Sequence, residues 1–144
     1  MRIAKIRSWD YDGMIGLWQK DPGIKLSGAD SRRNIAFFLK RNRGLSLKAV
    51  IGGKIVATIL CGCDGRRGYF HHLYVAPGYR RQGIARALVE GCVAKLRRLG
   101  IEKAHIFVLP ANTDGQRFWE TTGFYRRTAD DVLMYSRDLQ IDDL

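Results

Sequence analysis

Leu73-Tyr-Val-Ala-Pro-Gly-Tyr-Arg-Arg-Gln-Gly-Ile-Ala-Arg86 is the stretch on which the reading of this chain turns. A β-strand ends at Val75, Pro77-Gly78 makes a turn, and Gly83 stands where a helix begins. The start of a helix carries unpaired N–H groups and the positive end of the helix dipole, so it is a natural seat for phosphate. A glycine there lets a ligand approach the backbone without a Cβ in the way. Arg80, Arg81 and Arg86 add positive charge to the same mouth. On these residues alone the signal is weak, and a tight strand-to-helix turn with no ligand is the plainer reading.

Working outward, the residues after Gly83 read as an amphipathic helix over 83–99, with Ile84, Leu88, Cys92, Leu96 and Leu99 on one face and Gly100 as its stop. Before the turn, three strands are predicted at 45–51, 54–63 and 69–75, joined by Gly52-Gly53 and by the polar turn at 64–68. Nearer the N-terminus, residues 2–9 read as a short strand. Asp10 or Asp12 would cap a helix carrying Met14, Ile15, Leu17 and Trp18, which Asp21-Pro-Gly ends. Ser31 would cap a second helix with Ile35, Phe38 and Leu39 at helical spacing. Beyond Gly100, residues 103–109 read as a strand, and a helix runs from Asn112 to about Thr122. Gly123 closes that helix, and residues 124–127 and 132–139 are expected to pair as closing strands. No linker, repeat or low-complexity tract interrupts the chain. A single mixed α/β domain over residues 1–144 is the expectation.

Composition sets the outer bounds. A chain of 144 residues can bury roughly 68–70% of its unfolded surface without disulfides or a structural metal. The N-terminus is charged at alternate positions and lacks an apolar core, so no secretory signal is expected. The apolar run at 55–63 is too short to span a bilayer. Cys61, Cys63 and Cys92 make neither a disulfide framework nor a zinc ligand set, so no metal is expected. A cytoplasmic protein follows. The net charge of +11, from 25 Lys and Arg against 14 Asp and Glu, predicts attraction to phosphate-rich or polyanionic partners.

The segment Arg80-Arg-Gln-Gly83-Ile-Ala85 resembles the Arg/Gln-x-x-Gly-x-Gly/Ala motif of the GNAT N-acetyltransferase superfamily, in its small single-domain bacterial form. Asn112 and the segment Thr122-Gly-Phe124 resemble the family's later Asn…Gly-Phe region, and the order of strands and helices matches along nearly the whole chain. The resemblance implies the GNAT fold, a central, mostly antiparallel, splayed sheet flanked by helices. It also implies acetyl-CoA, or another acyl-CoA, as co-substrate. The backbone of Leu73, Tyr74 and Val75 would bond the pantetheine arm. Arg80 and the amides of Arg81, Gln82, Gly83, Ile84, Ala85 and Arg86 would hold the pyrophosphate, and Asn112 would reach the pantetheine from the far side. An ordinary helix N-cap is an equally good reading of Asn112.

The chain departs from the family pattern at two catalytic positions. Many members carry a tyrosine seven residues after the Asn, which protonates the leaving thiolate; here that position is Trp119. Indole is a donor but not a usable acid. Some members carry a glutamate base five residues before the Asn; here that position is Phe107. A thiol of pKa ~8.5 leaves tolerably without an acid. The amine is the harder side: a lysine ammonium of pKa ~10.4 needs roughly 4 kcal/mol to deprotonate at pH ~7.4, whereas an α-amine near ~7.8 needs about 0.5 kcal/mol. His71 is the expected base, being four residues before Val75, where some relatives place a histidine. His72 is the second candidate. Neighbours on a strand face opposite ways, so only one of the two is expected to point at substrate. Tyr135 or Tyr125 would replace the missing acid only if the last strands fold over the thiol.

The expected reaction is direct acyl transfer to a primary amine in a ternary complex, the acceptor itself being unidentified and either a small molecule or a protein amine. Two other readings stand beside it: a non-catalytic CoA-binding regulatory module, motivated by the two missing groups, and a basic nucleic-acid-binding protein, motivated by charge alone. Nucleic acid is not the expected partner, since no recognition motif is present. Neither is a membrane, and a monomer or a homodimer would suit the fold.

Overall fold

Four antiparallel strands, β1 (Arg2–Lys5), β2 (Leu47–Ile51), β3 (Lys54–Cys63) and β4 (Gly68–Val75), and one parallel strand, β5 (Ala104–Ile106), lie side by side in chain order. The computed structural model from which they are taken describes residues 1–139. The sheet is the mixed, mostly antiparallel one that the family resemblance implies. Gly52 and Gly53 both take positive φ, +58° and +75°, as a two-residue hairpin requires to match the twist of its strands. β3 is buried along most of its length, which is why it reads as a nearly unbroken apolar run.

Helices α1 (Tyr11–Trp18) and α2 (Arg32–Arg41) cover one face of the sheet, and α3 (Ile84–Arg98) covers the other. Leu60 of β3 and Tyr74 of β4 pack with Met14, Trp18 and Ile35 of the first layer. Cys61, one residue along and so facing the other way, meets Cys92 of α3. Ile84, Leu88, Cys92 and Leu96 are buried as their spacing predicts, and Leu99 lies past the helix end, exposed. Ser31 caps α2 by accepting from the Asn34 amide at 3.2 Å.

Several expectations change. β1 stops at Lys5, and Ser8–Asp10 forms a 3-10 turn. Asp10 precedes α1 but does not cap it. Its carboxylate accepts from the Arg7 amide at 2.7 Å and pairs with the buried Lys48 ammonium at 2.6 Å. A buried ammonium needs such a counter-charge, and that demand outweighs one cap. β5 is three residues long instead of seven, for a reason that lies in β4 and is given below.

Residues 1–112 form one compact unit, and the described residues from Thr113 onward belong to another. The second unit contains α4 (Thr113–Thr121). Gly123, at φ +91°, lets the Phe124 amide return to the Trp119 carbonyl at 3.1 Å, a common way to close a helix. The polar turn at 128–131 forms, with Asp131 N bonded to Thr128 O at 3.0 Å. The closing strands on either side of it do not: no residue from 124 to 139 joins a ladder. Val132, Leu133, Met134 and Tyr135 form an unbroken apolar run with all four side chains exposed. Such a run lacks the alternation that would commit one face of a strand to a core. Residue 140 and those after it lie outside the described part.

Candidate functional site

Irregularity in β4 organises the site. Thr58 pairs with Tyr74 and Leu60 pairs with His71, so one residue of β3 stands opposite two of β4, His72 and Leu73. That is a β-bulge, and His72 takes φ +50° within it. The extra residue breaks the alternation on which the two histidines were expected to face opposite ways. The His71 ring lies edge-on to Phe38 of α2, at 6.1 Å between centroids. The His72 ring lies 4.8 Å from Trp18 of α1. Both imidazoles therefore meet the α1–α2 layer.

Their surroundings differ. His72 Nε2 lies 2.6 Å from Asp30 Oδ1, and both side chains are largely buried. Asp30 is held in turn: its other oxygen accepts from the Ser27 amide at 3.1 Å, and its carbonyl accepts from the Tyr11 hydroxyl at 2.7 Å. Thr58 Oγ1 accepts from Trp18 Nε1 at 2.9 Å and donates to the His72 carbonyl at 3.2 Å. A neutral His72 that donates Nε2–H to the carboxylate keeps its lone pair on Nδ1. His71 pairs with no carboxylate among the described residues. Burial pushes its pKa below the ordinary 6.5, the neighbouring His72 pushes the same way, and Asp30 opposes them.

The same bulge explains the short β5. Its parallel ladder runs only from Gly68–Ala104 to Phe70–Ile106, and ends just before β4 departs from regular geometry. Past Phe70, β4 has no strand beside it on that edge among the described residues, so the backbone of Leu73, Tyr74 and Val75 lies beyond the end of the β4–β5 ladder. The Tyr74 ring itself is buried in the core.

Downstream of β4, Pro77–Tyr79 makes a 3-10 turn and Arg80 folds back, its Nε donating to the Val75 carbonyl at 2.8 Å and its guanidinium 5.6 Å from the centre of the Tyr74 ring. Arg80 thus ties the turn to the end of β4. Arg81 and Gly83 both take positive φ, +62° and +80°. Arginine there is strained, which is common where backbone is shaped for a ligand. Gly83 supplies no side-chain cap to α3. A Cβ built on it would meet no atom within 4 Å, so the space before the helix start is open. That opening, at the positive end of a helix of 15 residues, fits a phosphate group. Arg81, Gln82 and Arg86 are exposed around it, Ala85 is half-buried, and the Ile84 side chain is in the core.

The remaining candidates lie outside β4 and the turn that follows it. Asn112 is exposed, its amide bonded to Leu109 O at 2.9 Å. Phe107 is exposed. Trp119 is buried, its ring edge-on to Phe118 and Phe124. Tyr125 and Tyr135 are exposed, Tyr135 at 88%. Among the cysteines, Cys61 and Cys92 are buried. The hydrogen bond between the Cys92 thiol and Cys61, and then burial, push the Cys92 thiol well above its ordinary pKa, which disables it as a nucleophile. Among the described residues no group of three or more His, Cys, Asp or Glu is arranged to hold a metal ion. No helix among them is long and apolar enough to cross a membrane.

Sequence reasoning missed Asp30. Its signal was present as Ser27-Gly-Ala-Asp30, a capping box that the structure forms, but the approach of Asp30 to His72 spans 42 positions of sequence.

A family model described as "Acetyltransferase (GNAT) family" matches residues 3–124. An acetyltransferase of Photorhabdus laumondii is 30% identical over 142 residues, 99% of this chain and 98% of the relative. Two solved structures share the fold. Ard1 from Thermoplasma volcanium superposes with a TM-score of 0.79 at 16% identity, over 88% of this chain and 84% of that one. The PaiA N-acetyltransferase from Thermoplasma acidophilum, in complex with coenzyme A, gives 0.77 at 18% identity, over 86% and 89%.

Proposed function

Because the chain belongs to the acetyltransferase (GNAT) family, we propose that it is a cytoplasmic N-acyltransferase that moves an acetyl group from acetyl-CoA to a primary amine, by direct attack in a ternary complex. The observation that carries the catalytic part of this reading is the His72–Asp30 pair at the β4 bulge, 2.6 Å apart and largely buried. The open turn at Gly83 supports the donor side.

In this reading the Arg81–Gly83 turn and the first turn of α3 hold the pyrophosphate, and the edge of β4 at Leu73, Tyr74 and Val75 holds the pantetheine. Thioester chemistry comes from the co-substrate; the chain supplies position and a proton acceptor. The acceptor amine gives a proton to His72 Nδ1 as its nitrogen bonds the carbonyl carbon. The C–S bond then breaks, and CoA leaves as a thiolate that solvent protonates. Asp30 fixes the ring orientation and stabilises the imidazolium as it forms, in the manner of other carboxylate–histidine pairs. Strand amides of β4 stabilise the oxyanion. A base relieves the more demanding half of the reaction, which is why the lack of a tyrosine at Trp119 is tolerable.

The test follows CoA-thiol release across a panel of α-amines, lysine peptides, polyamines and small metabolites, with His72→Ala, Asp30→Asn and His71→Ala beside the wild type. His72→Ala is expected to lower kcat by roughly 10²–10⁴-fold, with acetyl-CoA affinity nearly unchanged. A wild-type rate in His72→Ala, with the loss found in His71→Ala, would return the role to His71. Tight CoA binding with no transfer to any amine would make the chain a binding module.

A further inference from the structure

At the opposite end of α3 from the proposed donor turn, four cations meet over a concave surface. Lys5 at the end of β1, Arg43 in the loop after α2, and Lys95 and Arg98 in the last turns of α3 line a hollow of about 230 Å³, together with Gly44, Leu45 and Leu99. Among the described residues no carboxylate lines it. None of the four has an ion pair among those residues. Lys5 lies along Gly44: a Cβ on that glycine would be 3.6 Å from the ammonium nitrogen, in ordinary contact.

The C-terminal end of a helix favours cations, which accounts for Lys95 and Arg98. It does not account for Lys5 and Arg43, which arrive from two other elements. Four like charges around one hollow repel one another, and an anion shared among them relieves that repulsion. At about 30 Å³ per water, the volume admits a phosphate group with several waters. At 1.5 Å per residue, the 15 residues of α3 separate this hollow from the Gly83 turn by about 22 Å. One acyl-CoA pyrophosphate cannot serve both.

We propose that this hollow is a second anion site, which binds a multiply charged phosphate group through Lys5, Arg43, Lys95 and Arg98. The inference does not depend on acyl transfer. A free oligophosphate and the backbone of a nucleic acid both present that chemistry, so the experiment has an arm for each. The full-length chain, labelled with ¹⁵N, is titrated first with pyrophosphate and then with a short single-stranded RNA, and the amide shifts are followed by residue. The expected result is saturable movement of the Gly44, Leu45 and Leu99 amides with at least one probe, as a process separate from any movement at residues 83–86. Lys5→Gln and Arg43→Gln, both exposed in the folded chain, are each expected to weaken that binding about tenfold. They should leave the shifts at residues 83–86 in place. Movement with pyrophosphate identifies a small oligophosphate as sufficient; movement with RNA alone identifies a phosphodiester backbone. Shifts confined to residues 83–86 with both probes, or affinities that the two variants leave unchanged, would overturn the proposal.

Discussion

Thr58→Val isolates the smallest piece of structure that supports the catalytic reading. Thr58 is fully buried, and its hydroxyl joins the equally buried Trp18 indole to the carbonyl of His72. Valine keeps the shape and removes both bonds. The Trp18 N–H then has no partner in a dry core, at a cost of about 1–3 kcal/mol, and the partly buried His72 carbonyl adds about 1 kcal/mol. The total is about 2–4 kcal/mol, a large share of a stability of about 5–15 kcal/mol. For a chain of this size it lowers Tm by roughly 6–14 °C. His72 also loses the bond that helps hold φ at +50°, so kcat should fall while acetyl-CoA affinity is retained. Urea denaturation measures the first effect, and a double-mutant cycle with Trp18→Phe separates the hydrogen bond from the change in volume. A coupling of about 1–2 kcal/mol is expected. A Thr58→Val stability within about 0.5 kcal/mol of wild type, or a coupling near zero, would refute the reasoning, because the network would then not be anchoring the bulge.

Four further outcomes follow from contacts elsewhere in the fold. Gly91→Ala puts its Cβ 2.7 Å from Leu47 Cδ1, an overpacking cost of about 1–3 kcal/mol. The gain of about 1 kcal/mol for alanine inside α3 offsets this in part, so a net loss of up to about 2 kcal/mol is expected. Gly16→Ala in α1, where nothing lies within 4 Å, should gain about 0.4–1 kcal/mol; urea midpoints of the two variants read both signs. Because His71 has a folded-state pKa below its ordinary 6.5, the unfolded chain binds more protons in that window, so stability should fall as pH drops through and below about 6.5. His71→Gln should flatten that part of the acid limb, and equal slopes in the two proteins would contradict it. A thiol reagent should label Cys63 in the native chain, and reach Cys61 and Cys92 only on unfolding, because these two are fully buried; early labelling at Cys92, read by peptide mass, would contradict the packing.

Most of the fold is legible in the sequence where one residue decides a local geometry. Gly52-Gly53 dictates a hairpin, Ser31 caps a helix, and the spacing Ile84, Leu88, Cys92, Leu96 allows only one buried face. The Gly83 turn is legible for the same reason: its meaning is a backbone conformation that few residues adopt. What the sequence conceals depends on partners far along the chain. Nothing local to His71 and His72 marks an extra residue in β4; the bulge exists only relative to β3. Asp30 gains its meaning from a histidine 42 residues away, and Asp10 abandons a cap because Lys48, 38 residues on, needs a counter-charge. The closing strands illustrate the reverse case, in which β-prone residues at 132–135 take no ladder because propensity supplies no partner strand.

Acetyl-CoA titration by calorimetry, on the wild-type chain and on Gly83→Glu, tests the central claim most directly. Gly83 needs a positive φ, and the space before it is open, so glutamate would place both bulk and negative charge where the pyrophosphate is proposed to sit. The account predicts a saturable isotherm for the wild type whose tight phase is lost in a folded Gly83→Glu. Equal binding by the two proteins, or no binding by the folded wild type, would contradict it.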